Sequence, residues 1–231
     1  MKELHPDKGL RIFDIKWRVK TAGPSPNNNE RIEVFLLGCD KAISGSPCKG
    51  CFNSVTWDKS IAEFSRDPIE VADMINSSCD NNNKYITIGG GEPTDQLEYL
   101  LPFIKRLKEH EFHIIMYTWR DLKKSLEIDS PLSNYLNKAL NYIDIIIDGE
   151  FKEDEKLLDF NSSNVINHFI GSGNQKIWII SQPVSFGFPL KDIKEIKMEG
   201  KNFLYELKDN VSVIPNESII FKMGDKIWNI K

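Results

Sequence analysis

Gly38-Cys39-Asp40-Lys41-Ala42-Ile43-Ser44-Gly45-Ser46-Pro47-Cys48-Lys49-Gly50-Cys51-Phe52-Asn53 holds three of the four cysteines of the chain, spaced C-x8-C-x2-C. The apolar run Ile32-Glu33-Val34-Phe35-Leu36-Leu37 leads straight into it. A short apolar run closed by turn residues reads as a buried strand, which places the thiols on a loop at a strand's end. In α/β proteins that edge of the sheet is where ligands bind. A structural zinc site closes with four ligands, and a cubane iron–sulfur cluster ordinarily takes four cysteines. Three thiols from one loop leave a position open, which suits chemistry better than scaffolding. Zinc stays a reading of the spacing, completed by Cys79 or by one of His5, His110, His113 and His168.

Upstream, residues 10–19 read as an opening strand, broken by Gly23-Pro24-Ser25-Pro26 and by asparagines 27–29. Downstream, Asp67-Pro68-Ile69-Glu70 carries a cap, a first-turn proline and an acid, and starts a helix running to about residue 76. Residues 84–88 form the next strand, which stops at Gly89-Gly90-Gly91-Glu92-Pro93. Leu97, Leu100, Leu101, Ile104 and Leu107 recur at helical spacing. Strands follow at 112–117, 143–149 and 175–180, with a helix over 131–140. Strand, loop and helix in repetition imply right-handed βαβ units and a mostly parallel α/β sheet. Its strand ends gather the cysteine loop, the glycine turn, Tyr117-Thr118 and Asp148-Gly149 on one edge. After residue 182 short β-prone pieces alternate with turn signals at 200–201, 209–210 and 224–225, a β-rich tail. We expect two parts, 1–182 and 183–231.

A net charge of -4 lacks the basic footprint of a nucleic-acid binder. No apolar run is long enough to span a membrane, and Met1-Lys2-Glu3-Leu4-His5-Pro6-Asp7 has no signal-peptide core. A cytoplasmic protein with reduced thiols is expected, and clustered cysteines there point to metal or redox work.

Consecutive glycines at 89–91 let a ligand approach the backbone with no Cβ in the way. The run is not a nucleotide triphosphate loop. Glu92 and Asp148 are the carboxylates at this edge; the first equally suits a helix start and the second a turn. Thr118 reads as a ribose contact or a satisfied strand end, His113 as a packed core residue, and Cys79 as a free thiol.

Taken together, these segments resemble the radical S-adenosylmethionine superfamily, closest to the activating proteins of anaerobic (class III) ribonucleoside-triphosphate reductase. The resemblance covers roughly residues 9–180. It rests on Gly38-Cys39, Cys48-Lys49-Gly50-Cys51-Phe52-Asn53, Thr56-Trp57, Gly90-Gly91-Glu92-Pro93, Tyr117-Thr118, Ile147-Asp148-Gly149-Glu150-Phe151 and Gly171-Ser172-Gly173-Asn174-Gln175. The chain departs from the family in its first cysteine gap, eight residues instead of three, in Trp119 where the family has glycine, and in the tail.

The resemblance implies a partial (β/α) barrel. It implies a [4Fe–4S] cluster on Cys39, Cys48 and Cys51, and S-adenosylmethionine held near Gly89, Gly90, Gly91, Glu92, Thr118, Asp148, Phe52 and Asn53. A flavodoxin or ferredoxin would supply the electron, and a glycyl-radical enzyme, the anaerobic reductase, would receive the radical. Neither nucleic acid nor membrane is implied. Two alternatives stand beside this reading: a radical enzyme acting on a peptide or small molecule, and a non-catalytic zinc-binding interaction protein.

Overall fold

β-Branched and aromatic residues cluster in four segments that build the middle of the fold. The computed structural model describes residues 3–5, 7–19, 30–62, 65–79, 83–156 and 171–180, and four strands beyond them. The break expected at 23–29, the turns expected in the tail, and His168 lie outside the described residues.

In chain order the elements are β1 (Glu3–Leu4), β2 (Ile12–Val19), β3 (Arg31–Leu36), α1 (Asp40–Ile43), β4 (Ser65–Arg66), α2 (Pro68–Ser78), β5 (Tyr85–Gly90) and α3 (Leu97–Glu109). Then come β6 (His113–Thr118), α4 (Leu122–Glu127), α5 (Pro131–Ala139), β7 (Ile145–Asp148), β8 (Lys176–Ile180), β9 (Ile193–Lys197), β10 (Phe203–Leu207), β11 (Ile219–Met223) and β12 (Lys226–Ile230). Asp67 caps α2 as its sequence requires, its Oδ1 accepting from the N–H groups of Ile69 at 2.9 Å and Glu70 at 3.0 Å.

One eight-stranded sheet runs β2-β3-β5-β6-β7-β8-β10-β9. Its centre, β3-β5-β6-β7, is parallel, so the expected α/β class holds there. Both flanks differ from a strict strand–helix repeat: β2 pairs antiparallel with β3, and β8 antiparallel with β7. Between Asp148 and Lys176 the described residues contain one turn of 3-10 helix and no crossover α-helix. Past residue 182, β10 pairs with β8 and β9 with β10, so the β-rich extension adds strands to this sheet, while β11 and β12 pair with each other.

Alternation along each strand divides the sheet into two faces. Ile32, Val34, Leu36, Ile86, Ile88, Ile114, Met116 and Ile146 pack with Val71, Ile75, Leu100, Phe103, Ile104 and Leu107 of the helices, all fully buried. Each such aliphatic side chain contributes about 1.5–3 kcal/mol by leaving water. The other face carries Glu33, Phe35, Thr87, Gly89, Ile115, Tyr117, Ile145 and Ile147. Near its lower end Arg31, wholly buried, donates from Nε to Thr87 Oγ1 at 2.8 Å and from Nη2 to the carbonyls of Ile86 and of His113. Burial pushes its guanidinium down to about 9, still charged at neutral pH.

At the opposite edge Asp148 ends β7, and its Oδ2 accepts the N–H of Leu122 at 2.6 Å. This fixes the start of α4, a helix absent from our sequence reading. Burial pushes the Asp148 carboxyl up to about 6, against the pull of that N–H. An acid raised in the fold holds its proton more tightly there than in the unfolded chain. Its contribution is therefore favourable below about pH 4 and is lost as pH rises through about 6. Asp148→Asn keeps an oxygen for Leu122 and removes the titration. In urea titrations its stability relative to wild type should climb by roughly 2–3 kcal/mol between about pH 4 and pH 7. A flat difference would contradict this account.

Candidate functional site

The cysteine loop is tied at its base before it reaches any ligand. Gly38 N–H donates to Thr56 O at 2.8 Å and Cys39 N–H to Trp57 O at 3.0 Å. Thr56 is buried, and both its N–H and its hydroxyl donate to Asn53 O, at 2.9 and 2.7 Å. The long first gap leaves residues 43–47 exposed. It opens with the helical turn α1, and Asp40 N–H donates to Asp95 Oδ2 at 2.7 Å. Lys41 lies 3.2 Å from Glu150 and over the Trp119 ring at 5.2 Å, which pins the turn against the ends of β6 and β7.

The glycine turn closes onto this loop by backbone alone. Gly91 N–H donates to Leu36 O at 2.8 Å, and Glu92 N–H to Gly38 O at 2.7 Å. A Cβ on Gly91 would come within 2.1 Å of Gly38 O, so no side chain fits there. A Cβ on Gly89 would meet nothing within 4 Å. Gly89 is therefore open, and what it faces is a cavity.

That cavity has a volume of about 330 Å3. Cys39, Cys48, Cys51, Phe52, Asn53, Gly89, Gly90, Gly91, Glu92 and Thr118 all line it. So do Glu33, Phe35 and Tyr117 of the inner sheet face, and Trp119, Phe151 and Gln175. Ten of the eleven residues singled out from sequence thus share one wall; Asp148 lies behind it, holding Leu122. Phe52 packs on Phe151 with ring centroids 4.8 Å apart. Gln175 accepts from Gly171 N–H at 2.7 Å and donates to Gly149 O at 2.9 Å, closing the far rim.

Glu92 is 1% exposed, and its carboxylate organises the edge. Oε1 accepts from Thr94 N–H at 3.0 Å, Thr94 Oγ1 at 2.5 Å and Thr118 Oγ1 at 2.7 Å; Oε2 accepts from Trp119 N–H at 3.0 Å. Burial raises its carboxyl, and those hydrogen bonds pull the other way. Arg120 extends the network, donating to Thr94 Oγ1 at 2.7 Å and to Asp95 Oδ1 at 2.6 Å. Thr118 is thus a holder of Glu92. The cysteine loop, the glycine turn and the end of β6 meet in this one polar cluster.

The four cysteines carry free thiols. Burial pushes Cys39 up to about 11 and raises Cys48. Cys79 ends α2 and donates to Asn76 O, outside the cavity wall. His113 is buried beside Arg31, and His110 pairs with Asp73, so neither completes the cysteine set. Among the described residues no three His, Cys, Asp or Glu side chains converge tightly enough for a single metal ion. Glu33 and Phe35 escaped the sequence reading, although alternation along β3 puts them on one face with the cavity.

The profile of the 4Fe-4S single cluster domain family matches residues 28–178. The chain is 33% identical over 145 residues to the anaerobic ribonucleoside-triphosphate reductase-activating protein of Haemophilus influenzae, covering 60% of this chain and 86% of that protein. It is 30% identical over 129 residues to the protein of the same name from Pasteurella multocida, covering 54% of this chain and 76% of the relative. The matched span holds the cysteine loop, the glycine turn and the whole cavity wall, and on that ground the chain belongs to the 4Fe-4S single cluster domain family.

Proposed function

We propose that the protein is a radical S-adenosylmethionine enzyme that activates an anaerobic ribonucleoside-triphosphate reductase. The observation that carries this reading is that three thiols and the open backbone of Gly89 line one cavity. The donor set fits a cluster. Three thiols line the cavity and neither Cys79, His110 nor His113 joins them, an open donor set that suits a [4Fe–4S] cubane better than a closed zinc site. The names of the relatives support the partner, and the family match supports the cluster.

In this reading Cys39, Cys48 and Cys51 would hold the cluster, and the position they leave open would be available to S-adenosylmethionine. Reduced by a flavodoxin or ferredoxin, such a cluster would supply the one electron that cleaves S-adenosylmethionine to methionine and a 5′-deoxyadenosyl group, which would leave as 5′-deoxyadenosine after taking a hydrogen atom from a glycine of the reductase. The chain's own residues bind, orient and exclude water. Gly89, Gly90 and Gly91 offer bare backbone to the methionine portion. Glu92 keeps Thr118 and Trp119 in place around it. Phe52 and Asn53 border the cluster, and Phe52 packs on Phe151 at the cavity rim. Asp148 acts from behind, through Leu122. The inner sheet face wraps the cavity as a partial barrel, with 1–182 as the catalytic part and 183–231 as an extension. A cytoplasmic setting, where thiols stay reduced, suits this chemistry.

The direct test is anaerobic reconstitution with iron and sulfide, reduction with dithionite, and addition of S-adenosylmethionine. We expect 5′-deoxyadenosine, abolished by Cys48→Ala. Zinc in place of iron, with no product, would sink the radical reading in favour of a binding protein. Product without activation of the reductase would point to a peptide or small-molecule substrate.

A pair of glycine variants tests the cavity. Gly89→Ala should fold with unchanged melting temperature yet cleave S-adenosylmethionine at least about tenfold more slowly, because its methyl group occupies ligand space. Gly91→Ala should lose stability outright. Equal stability loss in both would show that Gly89 serves packing.

A further inference from the structure

Two carboxylates line the cavity, and they stand in different situations. Glu92 is committed to four hydrogen bonds within the scaffold. Glu33 accepts none from a described residue. It lies on β3 in register with Thr87 on one side and with Lys16 of β2 on the other. Its charged neighbour is Lys16, which opposes the rise that burial imposes on its carboxyl; the Tyr117 hydroxyl nearby stays neutral. Nothing in the proposed handling of S-adenosylmethionine uses it.

Register fixes its depth. Phe35 pairs with Gly89 and Glu33 with Thr87, so Glu33 sits two residues, roughly 7 Å, further from the strand ends than the Gly89 opening. The cysteines and the glycine turn claim the upper part of the cavity. Phe35 and Tyr117 stand level with Gly89, and Glu33 lies below them on the cavity wall. A cavity that cleaves one ligand and passes a radical to another must hold both at once.

The second ligand in the proposed reaction is a polypeptide. A glycine carries a peptide N–H on itself and another on the next residue, and each loses water on entering. A buried donor left unpaired is costly, whereas a carboxylate acceptor gives a charge-assisted hydrogen bond. Phe52, which lines the cavity, is exposed, and so are Ile43, Val55 and Ile61 elsewhere on the cysteine loop and its return. Apolar side chains gathered on one exposed segment mark a contact surface.

We propose that Glu33 accepts a backbone N–H of the polypeptide segment that delivers the reacting glycine across this apolar rim. The inference rests on the radical reading above, and it assigns Glu33 to substrate rather than to S-adenosylmethionine or to the fold.

The test is the coupling ratio: glycyl radical formed on the anaerobic reductase, counted by electron paramagnetic resonance, per 5′-deoxyadenosine released. Glu33→Ala should lower this ratio about tenfold and raise the KM for the reductase, the loss expected for one charge-assisted hydrogen bond. Glu33→Gln, whose amide oxygen still accepts, should fall between. A Lys16–Glu33 pair that merely stabilises the sheet would lower melting temperature and both products together, leaving the ratio unchanged, and that result overturns the proposal. So does a ratio equal to wild type with no change in KM. If wild type itself releases no 5′-deoxyadenosine, the radical reading fails first and takes this inference with it.

Discussion

Gly91 lies against Gly38, backbone to backbone, and two hydrogen bonds lock the approach: Gly91 N–H to Leu36 O and Glu92 N–H to Gly38 O. The cysteine loop and the glycine turn belong to different βαβ units. This contact, impossible for any residue with a Cβ at 91, joins them, alongside the β3–β5 pairing and the bond from Asp40 N–H to Asp95. It also sets the height of Glu92, whose carboxylate then reaches Thr94, Thr118 and the N–H of Trp119. A buried carboxylate is tolerable when its lone pairs are filled, and here the partners come from the two strand ends that must be held together. Stability and site geometry are therefore one problem at this edge.

The inner face has a polar anchor at each end. Arg31 clamps β3, β5 and β6 from below through Thr87, Ile86 and His113, and Glu92 clamps β5 and β6 from above. Between them the face is mostly apolar and is interrupted by Glu33 and Tyr117. The helix-packed face carries no such interruption and supplies the bulk of the burial. Function and folding are thus segregated by strand parity: odd positions of β3 line the cavity and even positions fill the core.

Parity also explains what the sequence made legible. The strand before the cysteines, the helix capped by Asp67 and the three-glycine turn are local signals, each enforced by backbone chemistry within a few residues. The first and the last of them located the cysteine and glycine parts of the cavity wall. Asp148 went astray because an Asp-Gly pair reads alike whether its carboxylate faces a ligand or a helix start. Its bond to Leu122 spans 26 positions, and no local pattern announces it. Asp121 accepts from Lys124 N–H and caps α4, a signal that was present but short. The antiparallel turn into β8 and the passage of the sheet beyond residue 182 are decided by tertiary pairing, which periodicity does not encode. Glu33 was hidden inside an apolar run whose overall hydrophobicity masked its alternation.

The long cysteine gap shows how a change in spacing can leave a site in place. Loop closure costs grow slowly with length, so added residues are cheap if they find partners of their own. Here they do. Asp40 N–H reaches Asp95, Lys59 pairs with Asp40 at 3.1 Å, and Lys41 bridges Glu150 and Trp119. Asp95 in turn is held by Arg120, so the insertion is fastened to the same cluster that positions Glu92. Cys39 is fixed by β3 and Trp57, Cys48 and Cys51 by their own turn, and the residues between add a rim without moving either end. Trp119 fits the same logic, since its ring lies under the two cations, Lys41 and Arg120, that the insertion and the turn bring to it. The departures from the shorter pattern are therefore coupled to one another, and a shortened loop would leave Trp119, Glu150 and Asp95 each without a partner now supplied by residues 40–41.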